Sequence, residues 1–369
     1  MNRFVKRYLV DAMAGMAQGL FASLLIGTIV KTLGQQLFNV WQNPFFNFLI
    51  QAGNFATESH VVGAAMAVGI GYAMKVPALV LFSQVAVGAA ANVTGGAGGP
   101  FAVLVIAIVS AELGALVSKK TKVDILVTPL VTILSGSLLT LLLAKWIGLA
   151  ASSLGNLIMW ATTLQPFWMG IIISVVVGIA LTLPISSAAI CAALGLTGLA
   201  GGAALAGCCA QMVGFAILSF KENRASGLIS QGLGTSMLQM PNIIKNPKVW
   251  IAPIIASAVT GPLATCLFKI EMNGAAVSSG MGTCGLVGQI GVISGWLEPS
   301  ATALEHGAKA IVPGLMDWLG LILISFVLPA LICFFLGKLF RRIGWIKEGD
   351  LSLENPVLRQ DERAVTEGE

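Results

Sequence analysis

Residues 101–144, FAVLVIAIVSAELGALV followed by SKKTKV and then DILVTPLVTILSGSLLTLLLA, decide the fold. The two apolar runs, Phe101 to Val117 and Asp124 to Ala144, each approach the roughly 20 residues that a helix needs to cross a bilayer. Between them lie Lys119, Lys120 and Lys122. The apolar residues are continuous and do not alternate, which excludes the short alternating strands of a membrane barrel. Glu112 is the one acid inside the first run, and a side chain reaching back toward the interface accounts for it as well as a site would.

Working outward, the whole chain has the same character. Of its 369 residues 56% are hydrophobic and only 10% are charged, and the mean hydropathy is +0.89. Soluble domains carry about 25% charge. The reading is an all-α polytopic membrane protein with about eight to ten membrane segments, some of them broken or re-entrant. The formal net charge of +5 is gathered in clusters: Arg3, Lys6 and Arg7; Lys119, Lys120 and Lys122; Lys221 and Arg224; Lys245 and Lys248; Lys338, Arg341 and Arg342. Such clusters favour the cytoplasmic side, which puts both termini inside and requires an even number of full spans. No basic module large enough to fold stands outside the membrane, so no nucleic-acid partner is expected.

The first apolar run, Tyr8 to Val30, carries Gly15, Gly19, Ala22, Ser23 and Gly27 along one helical face, a surface suited to close helix packing. Asp11 and Gln18 interrupt it, and it is expected to be a retained first helix. Residues 35–48 are aromatic and polar and fit the membrane interface. Val61 to Ala91 is broken by Lys75 and Pro77 and should form two helices. Asn92 to Pro100 (NVTGGAGGP) and Pro184-Ile185-Ser186-Ser187 are further breaks. Residues 1–344 are expected to form the membrane domain, and 345–369 a disordered cytoplasmic tail. The six cysteines, Cys191, Cys208, Cys209, Cys266, Cys284 and Cys333, lie in apolar or glycine-rich surroundings with no CxxC pair, and should be free thiols. Two histidines, His60 and His306, make a histidine-built metal site a poor expectation. No cofactor and no catalytic residue is expected.

Chemistry concentrates between Gln231 and Gln289. Gly232-Leu233-Gly234-Thr235-Ser236 is echoed by Gly280-Met281-Gly282-Thr283-Cys284, and each copy is followed by a glutamine, Gln239 and Gln289. In so apolar a chain, glycine and neutral polar side chains together suit irregular backbone lining a cavity. Loops in water, or glycines for helix packing, would use the same residues. A small polar solute would find donors and acceptors on Thr235, Ser236, Gln239, Asn242, Glu271, Asn273, Thr283 and Gln289. Lys269 could pair with Glu271 instead. Glu58 and His60 are a further ionisable pair near lipid depth, and an interfacial loop is the competing reading. The expectation is that both GxGT segments meet near the bilayer midplane as two walls of one cavity.

Several of these stretches resemble a known family. The run DAMAGMAQGLFASLLIGTIVKTLG, with GLGTSMLQMPNIIKNPKVWIAP and GMGTCGLVGQ, is similar to the enzyme IIC-like membrane proteins of the bacterial phosphoenolpyruvate sugar phosphotransferase system. The closest group includes the perfringolysin O regulator-type proteins, and the resemblance covers nearly the whole chain. A weaker similarity to fructose-type IIC domains covers about Gly95 to Leu196. Where those domains carry a DxGGPxNK-type motif, this chain reads Thr182-Leu183-Pro184-Ile185-Ser186-Ser187, so fructose-type roles are not carried over. The resemblance implies a homodimeric permease in the bacterial cell (inner) membrane that carries a sugar or similar small polar solute. A separate cytoplasmic IIB protein, served by IIA, would phosphorylate it from a phosphocysteine or phosphohistidine, so no phosphoryl-carrying residue is expected here. A membrane sensor with the IIC fold, and a carrier working without phosphorylation, are the competing functions.

Overall fold

The computed structural model describes residues 4–162 and 164–353; Arg3 and the 354–369 part of the expected tail lie outside them. Among the described residues no strand forms, and the regular backbone is helical apart from one isolated bridge between Gly198 and Met272. Among the described residues six helical stretches are long and apolar enough to cross a membrane: Lys6–Phe38, Ala78–Val117, Asp124–Ala151, Gly198–Leu218, Pro247–Leu267 and Leu315–Arg342. Shorter apolar helices cover Ser59–Ala73, Pro166–Thr182 and Cys284–Leu297. A straight helix of 40 residues over Ala78–Val117 would be about 60 Å long, twice a bilayer core. It is instead two helices folded back at Gly96 (φ 52°). The Gln84 amide holds the hairpin closed, donating to the Ala107 carbonyl (3.4 Å) and to Ser110 Oγ (3.2 Å). The chain is an all-α polytopic membrane protein.

The helices before residue 152 form one group. Their contacts rest on missing side chains: a Cβ at Gly15 would collide with the Gly69 carbonyl, and one at Gly19 with that of Ala65. The small-residue face of the first helix is therefore used for close packing. Lys75 takes a left-handed conformation (φ 55°) before Pro77, and the expected pair of helices, Ser59–Ala73 and Ala78–Gly95, results. Asp124–Ala151 is the least enclosed span, with Leu130, Leu134, Leu138 and Leu142 exposed on a face suited to lipid tails. Asn43 caps the helix Pro44–Thr57 through its side chain, and Trp41, Phe45, Phe48 and Phe55 stand exposed around it, as an interface segment requires.

The second group packs around Gly198–Leu218. This 21-residue helix is almost wholly enclosed by protein, and at 1.5 Å per residue it is about as long as the bilayer core is thick. Pro166–Thr182 lies so close that a Cβ at Gly207 would strike the Ser174 carbonyl. At the Leu218 end the basic clusters gather. Arg341 donates to the Leu218 carbonyl (3.1 Å) and pairs with Glu222 (2.8 Å). Arg7 pairs with Glu112 (2.8 Å), five residues before the helix end that precedes Lys119. Lys245 shares a small cavity with Asp11.

The tail begins differently from the expectation. After Arg342 the chain turns at Gly344 (φ 76°) and lies across this basic end. Ile346 and Leu351 are buried, Leu351 completely. The packed unit therefore reaches Leu353, because Ile346 and Leu351, two of the four large apolar side chains of residues 345–353, have a groove to fill.

Candidate functional site

The breaks in the second group create the site. Helix Ser187–Ala193 stops, Gly195 turns left-handed (φ 59°), and Thr197 is extended. Across from it the chain leaves Leu267 and turns at Lys269 (φ 48°). It then runs extended beside Gly198, with Gly198 N donating to Met272 O and Met272 N to Gly198 O, both at 3.0 Å. Ser300 N donates to Asn273 O (2.8 Å) and fixes the far side of this strip. A Cβ at Gly202 would collide with the Ile270 carbonyl, so only glycine lets the strip come this close.

These segments and the turn around His306 enclose a cavity of about 340 Å³ at the Gly198 end. Typical small-molecule clefts begin at about 300 Å³. Thr162 lines it, and four further polar side chains form two pairs. Asn273 Nδ2 donates to Glu271 Oε2 (2.9 Å), and Thr197 Oγ1 lies 3.2 Å from His306 Nδ1. Glu271 is exposed to the cavity while Asn273 is buried. Lys269 makes no ion pair with Glu271, so the carboxylate keeps acceptor capacity for a hydroxyl. Thr197 and His306 did not figure among the residues singled out from sequence. His306 was weighed only as a metal ligand; its rarity, as one of two histidines in the chain, was the available signal.

A second cluster lies beside the middle of Gly198–Leu218. Here the two GxGT segments meet: Thr283 Oγ1 donates to the Gly232 carbonyl and to Met212 Sδ (3.6 Å). Gly282 is left-handed (φ 55°), and a Cβ there would press on Cys208. Thr235 caps Met237 N (3.2 Å), and Ser236 bonds Thr182 (2.8 Å), which also donates to Gln211 Oε1 (3.2 Å). The space between the segments is small, about 80 Å³, lined by Ser186, Ser187, Thr235 and apolar side chains. Gln289 points elsewhere, donating to Cys209 Sγ (3.3 Å) with its Oε1 buried and unpartnered among the described residues.

Gln239 and Asn242 form a third cluster at the Leu218 end. Gln239 donates to Gln231 Oε1 (2.8 Å) and to the Leu351 carbonyl (3.0 Å), and accepts from Asn242 Nδ2 (2.8 Å). The same Asn242 nitrogen donates to the Ser352 carbonyl (2.9 Å). These amides are occupied by protein. Glu58 and His60 stand 3.6 Å apart, both more than half exposed, at the start of Ser59–Ala73 and outside the Glu271 cavity. The expected set of ten residues is thus divided, and of the ten only Glu271 and Asn273 line the cavity at the Gly198 end. The six cysteines are free, five of them buried and Cys266 exposed.

Helices broken on either side of one enclosed helix, with a solute-sized polar cavity at the break, define a multi-pass membrane protein of the transporter class. The chain belongs to the phosphotransferase system EIIC family, whose model matches residues 10–353. That family makes it a permease-type component of a phosphotransferase system. Neither curated proteins nor solved structures gave a match.

Proposed function

We propose that this permease carries a neutral polyhydroxylated solute, a sugar or close relative, and that Glu271, Asn273, Thr197 and His306 bind it. The observation that carries the reading is the pairing within the cavity. A carboxylate, an amide, a hydroxyl and an imidazole converge from three separate chain segments, each on unwound backbone beside a rigid helix. A sugar offers hydroxyls that both donate and accept, and such a set matches it without a net charge on the ligand. An unpaired Glu271 carboxylate disfavours anionic solutes such as sugar phosphates, so phosphorylation would follow passage. A separate IIB protein is the phosphoryl donor on this reading, because no stretch of the described chain reads as a soluble phosphoryl-carrying domain. The basic clusters at the Leu218 end support a cytoplasmic position for that end and for both termini, with the Glu271 cavity facing the outside. Homodimers in a bacterial inner membrane belong to the same reading, by analogy with the family.

The test is a thermal-shift screen of the purified protein against sugars, polyols and sugar phosphates, since a ligand of the folded state raises its stability. A neutral sugar or polyol should raise the melting temperature, and the rise should vanish in Glu271→Ala. Stabilisation by sugar phosphates alone, or a rise that survives Glu271→Ala, would overturn the proposal.

A further inference from the structure

Gln239 and Asn242, singled out by sequence and set aside from the cavity, have a different occupant. Asn223 Nδ2 donates to the Leu351 carbonyl (2.8 Å) while its Oδ1 accepts from Leu353 N (2.8 Å). The side-chain amide thus acts toward the segment as a neighbouring strand would. Gln239 adds a second donor to the Leu351 carbonyl, and Asn242 donates to the Ser352 carbonyl. Three amide side chains read the backbone of Leu351–Leu353, Asn246 Nδ2 donates to the Asp350 carboxylate (2.8 Å), and the Leu351 side chain fills an apolar seat completely. Gln231 anchors the clamp from behind, donating to Ser219 Oγ (2.8 Å) and to the Gly227 carbonyl (3.0 Å).

The segment covers a mouth. Ser352 and Leu353 line a cavity of about 60 Å³ together with Asp11, Gln18, Asn242 and Lys245. The turn 236–242 is the wall between this cavity and the central one: Met237 faces the central space, and Leu238 and Pro241 face the mouth. Gln239 and Asn242 belong to this wall, so their bonds to Leu351 and Ser352 tie the wall to the segment. The segment itself is joined through two left-handed glycines, Gly344 (φ 76°) and Gly349 (φ 88°), around which there is open space. Its ion pair to the rest of the protein, Lys221 with Glu348 at 3.2 Å, is largely exposed and weak.

We propose that Asp350–Leu353 is a removable lid over the basic-end mouth, held by a backbone-reading clamp of Asn223, Gln239 and Asn242, and that the solute path opens on that side only when the lid leaves. Its purpose rests on the permease reading, but its existence is tested without any solute. Ala14 lines the mouth. In a Cys266→Ser background, Ala14→Cys is labelled with a membrane-impermeant maleimide, and labelling is located by mass. The full chain is compared with a chain ending at Gly349 and with Asn242→Ala. The buried native Cys208 and Cys333 report any global opening. The truncated chain should label at Ala14→Cys about tenfold faster or more, and Asn242→Ala by a smaller factor, with Cys208 and Cys333 still protected. A peptide of residues 345–353 added to the truncated chain should restore slow labelling. Unchanged labelling on truncation, no rescue by the peptide, or a truncated chain that fails to fold or exposes Cys208 would each overturn the lid, the last two by making the segment an ordinary part of the fold.

Discussion

The two ends of Gly198–Leu218 carry similar side chains and differ in what those side chains face. At the Gly198 end Glu271, Asn273, Thr197 and His306 surround an open cavity. At the Leu218 end Asn223, Gln231, Gln239 and Asn242 are satisfied by one another and by the backbone of 351–353. A polar cluster in a membrane protein must have its hydrogen bonds met. The first cluster leaves part of that to a solute or water, and the second meets it from the chain itself. The lesson is that polar residues near a helix break mark where backbone and ligands are handled, without saying which of the two.

The comparison breaks most sharply on sidedness. Lys309→Cys, near the open cavity, should label only from outside intact cells, and Arg224→Cys only from the cytoplasm. Labelling of both from one side would remove the assignment of the two ends to opposite faces. Next in size is Gly202→Val, which drives a side chain into the Ile270 carbonyl beside the strip that carries Glu271. Overpacking of this kind should cost about 3 kcal/mol of stability and abolish solute binding. A melting temperature equal to that of the native chain would show that the strip adapts freely. Gln239→Ala should then lower stability by about 2 kcal/mol, because Gln231 Oε1 loses the donor seen there and Asn242 loses an acceptor. Affinity for an identified solute should stay unchanged, and a weakened affinity at unchanged melting temperature would reunite the two clusters. Asn273→Ala should do the reverse and weaken solute binding by about 1 kcal/mol, the scale of one buried hydrogen bond. Thr197→Val should have the smallest effect, about 0.5 kcal/mol in affinity, and calorimetric titration resolves both.

Membrane character, helical class, the break at Lys75–Pro77 and the close-packed glycine face were legible in the sequence because each depends on local terms. Twenty apolar residues exclude water wherever they are, proline removes a donor wherever it stands, and a row of small residues stays on one helical face. The meeting of the two GxGT segments was also legible, as an echo of glycine with threonine. Their surroundings were not. Thr283 spends its hydroxyl on Gly232, and Gln239 spends its amide on Leu351, a residue 112 positions away. Nothing local distinguishes an amide that binds its own chain from one that binds a solute. His306 enters the cavity only because helix Ala301–Glu305 ends against the Thr197 turn, 109 residues earlier. The sequence by itself determined which residues avoid lipid and where helices break, since those follow from solvation and backbone sterics. Only the tertiary structure decided which polar groups are left with unmet hydrogen bonds, because satisfaction depends on the partner across the fold.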